Sequence, residues 1–476
     1  MDEFIIKKIF CRILCVYLFL VISFYFLAGD QLHYRTSRGN MEIPPAESST
    51  TELSAGTVVE QRFISRIQRI ESVSVQWGTY YRPNTGTVTI ELLHADSGEV
   101  LLQKQFDAAF INEGQILTAA SEFPIDGLYG YPLTVRLTSD SLPGSAVTPL
   151  ISNQSGPDGA VLSVNGEINP GLLCFKAEGT DHIWTGQNYW IFSAGLGAIL
   201  AIMLFAIFQR WRQGKRSYII NALYAMKKYR FLIQQLVERD FKKKYKRSVL
   251  GVFWSFLNPL LMMLIQYFIF STIFRSDIPN FAAYLIIGTV MFNFFSEASS
   301  MTLMSILGNA GLITKVYMPK YIYPLTRTMS SVVNLVISLI PMIIVCLVTG
   351  VHLHKSAVLS LFFFICLIIF SLGVGMVLST SMVFFRDTQF LWNVLSTMWM
   401  YATPIFYPER IIPDNLRLIL KVNPLYHFLK AARMCIMDGL SPEPVVYFRC
   451  LMISLCMLAF GAFVFYRNQN KFVLYL

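Results

Sequence analysis

From Phe253 onward the chain alternates long apolar runs with short charged gaps, a pattern that leaves few folds open. The runs fall at about Phe253 to Phe274, Phe281 to Leu303, Leu325 to Thr349, Ala357 to Phe385, Gln389 to Thr403 and Val445 to Tyr466. Two more lie earlier, at Ile13 to Ala28 and Tyr189 to Phe208. A helix needs about 20 mostly apolar residues to cross a bilayer, and only helices and closed barrels satisfy their backbone there. With 54% hydrophobic and 14% charged residues, the chain is predicted to be a polytopic α-helical membrane protein of about eight transmembrane helices, not a soluble globule.

The net charge of +10 is unevenly spread. Residues 210–247 carry thirteen Lys or Arg against Glu238 and Asp240, whereas residues 30–186 carry eighteen acids against nine bases. The positive-inside rule then puts residues 30–186 outside and both termini in the cytoplasm. Lys315 and Lys320, Arg386, and Arg467 with Lys471 fall on the inner side in the same scheme. The basic segment adjoins apolar runs at both ends and lacks any recognition-fold signal, which speaks against nucleic acid. Lys7, Lys8 and Arg12 before the first run fit either a retained helix over residues 1–29 or a cleaved leader, and the orientation holds in both cases.

From Val58 to Glu178 the apolar period changes to two, as in Ser72 to Trp77, Thr87 to Leu93 and Leu133 to Thr138. Turn chemistry separates these stretches at Pro83-Asn84-Thr85-Gly86, Asp96-Ser97-Gly98, Asp126-Gly127 and Pro143-Gly144. Residues 30–186 are therefore expected to form an antiparallel β-sandwich with a loose likeness to carbohydrate-binding jelly rolls. Trp77, Tyr80, Tyr81 and Tyr131 are either sugar-stacking aromatics or ordinary packing residues. Of eight cysteines only Cys174 lies in this region and no CxxC occurs, so an internal disulfide is excluded and neither metal nor redox chemistry is supported.

After a second anchor at residues 187–210, residues 211–250 read as a basic amphipathic helix. Tyr229, Leu232, Ile233, Leu236, Val237, Phe241 and Tyr245 build one apolar face, with Lys242, Lys243, Lys244 and Arg247 on or beside the other. Such a helix lies along the inner membrane surface. Residues 251–476 then hold six spans. Glu297 inside one of them is a costly carboxylate, and it faces either an interior path or a buried partner. Pro404 to Pro442 is too apolar for a free loop and is expected to fold back as short broken helices.

Several motifs of this half are similar to those of one family. Arg239-Asp240-Phe241-Lys242 through Ser248-Val249-Leu250-Gly251, with Trp254, Asn258 and Pro259, resembles the start of an ABC-2 type exporter permease of the kind that moves O-antigen or teichoic acid chains. Asn309 to Pro319 with Pro324, Phe384-Phe385-Arg386-Asp387, Thr403-Pro404-Ile405 and Asn423-Pro424-Leu425 follow in the family's order. The likeness covers roughly Tyr229 to Leu476; residues 1–210 depart from the simplest members.

That resemblance implies a homodimer in a bacterial cytoplasmic membrane, each copy bound to an ABC ATPase subunit and moving a lipid-linked glycan. No GxxxxGK[ST] loop occurs, so ATP and Mg belong to that partner and this chain carries no cofactor. Asn309, Leu312, Ile313, Lys315, Tyr317 and Pro319 are implied to couple to the ATPase, and Arg239, Asp240, Phe241, Lys242 and Tyr245 to form the interfacial helix. By the same analogy Tyr267, Phe268, Glu297, Trp392, Trp399 and Tyr401 border the translocation path, or else the aromatics among them face lipid or pack. Two other readings are export of a smaller lipid or drug and a membrane-bound glycosyltransferase or polymerase, the latter opposed by scattered acids with no DxD.

Overall fold

The computed structural model describes residues 3–153, 160–213, 218–246, 248–273, 278–315 and 318–475. It divides into two compact units, one of Met1–Leu32 with Asn188–Leu476 and one of His33–Gln187.

The second unit holds two antiparallel sheets. Along the chain come β1 (Tyr34–Thr36), β2 (Ser48–Ser49), β3 (Val59–Ile64), β4 (Arg69–Gly78), β5 (Thr87–His94), β6 (Val100–Asp107), β7 (Ile116–Asp126), β8 (Pro132–Ser139), β9 (Thr148–Ser152), β10 (Val161–Val164), β11 (Glu167–Asn169), β12 (Leu172–Leu173) and β13 (Phe175–His182), then the single turn α2 (Trp184–Gln187). One sheet runs β1-β13-β4-β9-β12, with β2 on β9 and β7 on β4; the other runs β11-β10-β3-β8-β5-β6.

Alternation does the sorting. In β5 and β8, Ile90 faces Leu137 and Leu92 faces Val135, and all four side chains are buried. In the other sheet Val75 faces Phe175 and Val73 faces Ala177, again all buried. Rings of Phe63 and Phe175 meet at 5.2 Å and join the two faces. Trp77, one of the candidate sugar-stacking aromatics, is fully buried in this core and presents no face to a ligand. Tyr131 is half-exposed with its ring against His94.

Tyr34 pairs with His182, so the unit's first and last residues leave at one end of the sandwich. Strand β4 begins there, Arg69 opposite Thr180, and runs ten residues to Gly78. Its following loop therefore sits at the opposite end, about 30 Å away.

In the helical unit α1 (Glu3–Ala28) pairs with α3 (Tyr189–Arg212), the Tyr17 hydroxyl donating to the Ser193 carbonyl at 2.6 Å and that of Tyr189 to the Val21 carbonyl at 2.7 Å. The expected single helix over 211–250 is divided into α4 (Tyr218–Lys228) and α5 (Arg230–Tyr245), because Tyr229 leaves the helical region at ψ 14. Beyond these lie α6 (Phe253–Phe268), α7 (Phe281–Leu303), the one-turn α8 (Ala310–Ile313), α9 (Ile322–Val348), α10 (Ser360–Phe384), α11 (Thr388–Ala402), α12 (Arg417–Val422), α13 (Pro424–Ile436), α14 (Pro444–Asn468) and α15 (Phe472–Tyr475).

Among the described residues seven helices are long and apolar enough to cross a membrane. The eighth expected span became α11, whose 15 residues reach about 22 Å against a hydrocarbon layer of about 30 Å. Its rise stops at Thr403-Pro404, where proline removes the next amide donor. The segment after it folds as short broken helices, and α13 buries Leu425, Phe428, Leu429, Ala432 and Cys435.

Helix α7 is the most buried span and places Phe295 in an aromatic cluster, 6.0 Å from Phe370, 5.2 Å from Trp399 and 6.1 Å from Trp392. Helices α10 and α14 cross at Gly373 and Gly461. A Cβ on Gly461 would collide with the Gly373 carbonyl, and one on Gly373 would lie 2.6 Å from the Met457 carbonyl oxygen. Only glycine on both sides permits that approach.

Candidate functional site

The basic helix α5 is built as its periodicity requires. Leu236 is buried, and Tyr229, Leu232 and Ile233 pack beside it against Ile306, Met318, Ile322 and Tyr323. Lys242, Lys243 and Lys244 are exposed, and Lys242 pairs one turn back with Glu238 at 2.6 Å.

One side chain of α5 breaks the pattern. The Asp240 carboxylate is only 2% exposed, at salt-bridge distance from Arg327 of α9 (3.1 Å) and Arg239 (3.0 Å). Arg239 also donates to Asn309 Oδ1 at 3.0 Å, and the Asn309 amide donates to the Ser305 carbonyl at 2.7 Å. A buried carboxylate is tolerable only when so neutralised. The four residues tie α5, the start of α9 and the segment leading into α8 into one polar unit.

The short α8 sorts the implied coupling residues by direction. Asn309 is buried and acts inward, Ile313 packs against the cluster around Leu236, and Leu312 and Lys315 are exposed. Pro319 is half-buried; Tyr317 and the side chain of Tyr245 lie outside the described residues. Phe241 is half-buried.

Beside this unit a cavity of about 190 Å³ opens between α5, α6, α7 and α9. Glu297 stands at its wall, Oε1 accepting from Lys244 Nζ at 2.8 Å and from Asn334 Nδ2 at 2.6 Å. Asn258, Asn293 and Ser331 add uncharged polar groups to the lining, and Trp254 adds an indole. The carboxylate thus has a buried partner in Asn334 and also borders the cavity. Sequence reasoning missed Asn293 and Asn334, although an amide inside an apolar run is the same kind of signal as the carboxylate.

The aromatic path candidates divide. Tyr267 and Phe268 on α6 and Tyr401 on α11 are exposed. Trp392 is buried against Phe295, and Trp399 packs on the same ring with its Nε1 donating to Asn423 Oδ1 at 2.8 Å. The two tryptophans thus pack in the cluster around Phe295, while Tyr267 and Tyr401 are exposed with rings beside Phe281 (6.0 Å) and Phe406 (6.4 Å).

The far end of the helical unit is held by Arg433. Its guanidinium donates to the carbonyls of Pro404 (2.6 Å), Tyr284 (2.9 Å) and Ile405 (3.0 Å) and stacks 3.3 Å over the Tyr284 ring. Tyr284 in turn donates its hydroxyl to the Pro404 and Tyr407 carbonyls. Asn423 caps α13, Oδ1 accepting the Leu425 amide at 3.1 Å with Pro424 at the first helical position. Sequence reasoning overlooked Arg433, a lone cation in an amphipathic stretch.

Known proteins share sequence with part of the helical unit. Residues 231–437 match the family described as ABC-2 type transporter. An O-antigen export system permease protein RfbA of Klebsiella pneumoniae is 32% identical over 246 residues, which is 51% of this chain and 93% of that protein. The protein of the same name from Myxococcus xanthus is 28% identical over 256 residues, 53% of this chain and 97% of the relative. The polysialic acid transport protein KpsM of Escherichia coli is 24% identical over 245 residues, 51% of this chain and 95% of its own length. The β unit lies outside the residues matched to the family.

Proposed function

We propose, because this chain belongs to the ABC-2 type transporter family and is a permease of polysaccharide export systems, that it moves a lipid-linked glycan of the O-antigen or teichoic acid kind across a bacterial cytoplasmic membrane. It is a transport subunit and not an enzyme. Permeases of this family work with ABC ATPase subunits. In our reading two copies of this chain bind two of them, and ATP and Mg sit on the ATPases.

The observation that carries the proposal is the bridge from α5 through Arg239 to Asn309, which ties the basic helix to the segment leading into α8. In this reading a force delivered on exposed Leu312 and Lys315 passes to α9 through Asn309, Arg239, Asp240 and Arg327. Glu297, Tyr267, Phe268 and Tyr401 then border the path between the copies, their aromatic faces suited to the apolar sides of sugar rings and their polar groups to hydroxyls. Residues 30–186, held by anchors at 1–29 and 187–210, face outside and receive or orient the emerging glycan, while both termini are cytoplasmic.

Affinity purification of the chain should recover an ABC ATPase subunit, and depletion should remove glycan from the surface while its lipid-linked form accumulates inside. Recovery of no ATPase, or a surface glycan unaffected by depletion, would reject the proposal.

A further inference from the structure

At the end of the β-sandwich opposite its two chain ends, the loop after β4 contains Tyr80 at φ 54 and Tyr81 at φ 57. Two consecutive residues with side chains in the left-handed region are strained, since each Cβ crowds the following carbonyl. Strain of this kind persists only where the surroundings enforce it. Here Glu113 enforces it. Its Oε2 accepts the Thr79 amide at 2.6 Å and the Thr79 hydroxyl at 2.8 Å, and these bonds, with the amides of Tyr81 and Tyr80, hold its carboxyl below the usual range.

The strained backbone presents aromatic faces to solvent. Tyr81 is 89% exposed and Tyr80 is 43% exposed, while Phe110 from the neighbouring loop is 79% exposed. Beside Tyr80 lies a charged pair, Arg82 with Glu52, the guanidinium 5.0 Å from the Tyr80 ring. Glu52 Oε2 also accepts the Gly144 amide at 2.7 Å and Arg82 donates to the Ala146 carbonyl at 3.4 Å, so both charged groups are held in place. A tyrosine turned outward at a cost in backbone strain adds nothing to the core. Its use lies in what it meets.

We propose that this loop is a glycan-binding site, with Tyr81 stacking on the C–H face of a sugar ring and Arg82 and Glu52 taking its vicinal hydroxyls. Aromatic faces, a guanidinium fork and a carboxylate within one loop cluster match a ring that is apolar on its faces and polar at its rim. A glycan meets each requirement at once, whereas a hydrophobic peptide would leave the charged pair idle. The inference rests on the polysaccharide reading above for its substrate class, and it assigns to the β unit a hold on the chain being exported.

The test uses the full chain in detergent and, as probe, the surface polysaccharide of the host released from its lipid by mild acid, with dextran as control. Tyr81→Gly removes the ring and relieves the strain, so hydrogen-exchange protection around residues 79–86 should stay equal or rise while affinity for the polysaccharide falls about tenfold or more. Tyr81→Phe keeps the stacking face and should bind within about threefold of the native chain. Binding is overturned as a role for this loop if the native chain does not bind the probe, if Tyr81→Gly binds as well as the native chain, or if Tyr81→Gly loses protection, since the ring would then be a packing element. The export reading is judged separately, by ATPase recovery and by glycan at the surface on depletion, and can stand when this site fails.

Discussion

Asp240 of the basic helix and Arg327 of a membrane helix meet at 3.1 Å, their side chains 2% and 17% exposed. Breaking a buried pair by removing one partner costs about 3–5 kcal/mol, because the remaining charge keeps its desolvation penalty. Asp240→Asn, which leaves Arg239 and Arg327 facing each other across a neutral amide, should therefore lower the melting temperature of the purified chain and reduce glycan-stimulated ATPase activity of the complex. Adding Arg327→Gln should recover part of the loss. A double variant as unstable as the sum of the single ones would mean that the two residues are not coupled.

Glu297→Gln tests the cavity. Lys244 is about half-exposed and can be hydrated once its partner is neutral, so the stability cost should be modest, about 1 kcal/mol or less. Surface glycan should nevertheless fall several-fold if the carboxylate borders the path. Normal export would make Glu297 a packing group only.

Arg433→Lys replaces a fork by a single ammonium and strips donors from at least one of three carbonyls. Leaving a buried carbonyl unpaired costs about 1–3 kcal/mol. Limited proteolysis should then cut within residues 403–411 at a protease concentration the native chain resists. An unchanged cleavage pattern would show that the loop is held by other contacts.

The β unit should lose stability in acid. Glu113 and Glu52 are held below their ordinary 4.5 by hydrogen bonds from the Thr79 and Gly144 amides respectively, and Asp140 below its ordinary 3.8 by the Thr87 amide. A depressed carboxyl contributes stability that is complete above its unfolded value and is lost as pH falls through the folded one. Hydrogen-exchange protection of the loops around Thr79, Thr87 and Gly144 should thus be flat from neutrality to about pH 5 and drop below the ordinary values of 4.5 and 3.8. Glu113→Gln should blunt the drop at Thr79, and protection that rises on acidification would contradict the assignment.

The period of two between Val58 and Glu178 and the turn residues between its strands are local signals, and both sheets follow them. The same holds for the apolar stripe of α5, whose spacing places Leu236 inward and the lysines outward. What escaped was set by partners distant in sequence. Nothing beside Lys244 points to Glu297, since the two meet only once α5 has packed on α9 and brought its end beside α7. Trp77 reads the same as Tyr81 in a strand pattern; its burial depends on the opposing sheet, and the exposure of Tyr81 on a backbone angle that no pattern encodes. The division at Tyr229 and the short reach of α11 are boundary effects, where one residue's conformation decides.

The crossing of α10 and α14 has a mechanical consequence. Where Gly461 meets the Gly373 carbonyl the two backbones touch with no side chain between them, so a Cβ added at either position must push the helices apart. A methyl group at 373 or 461 would therefore act on the spacing of two whole helices and not on a single side-chain contact.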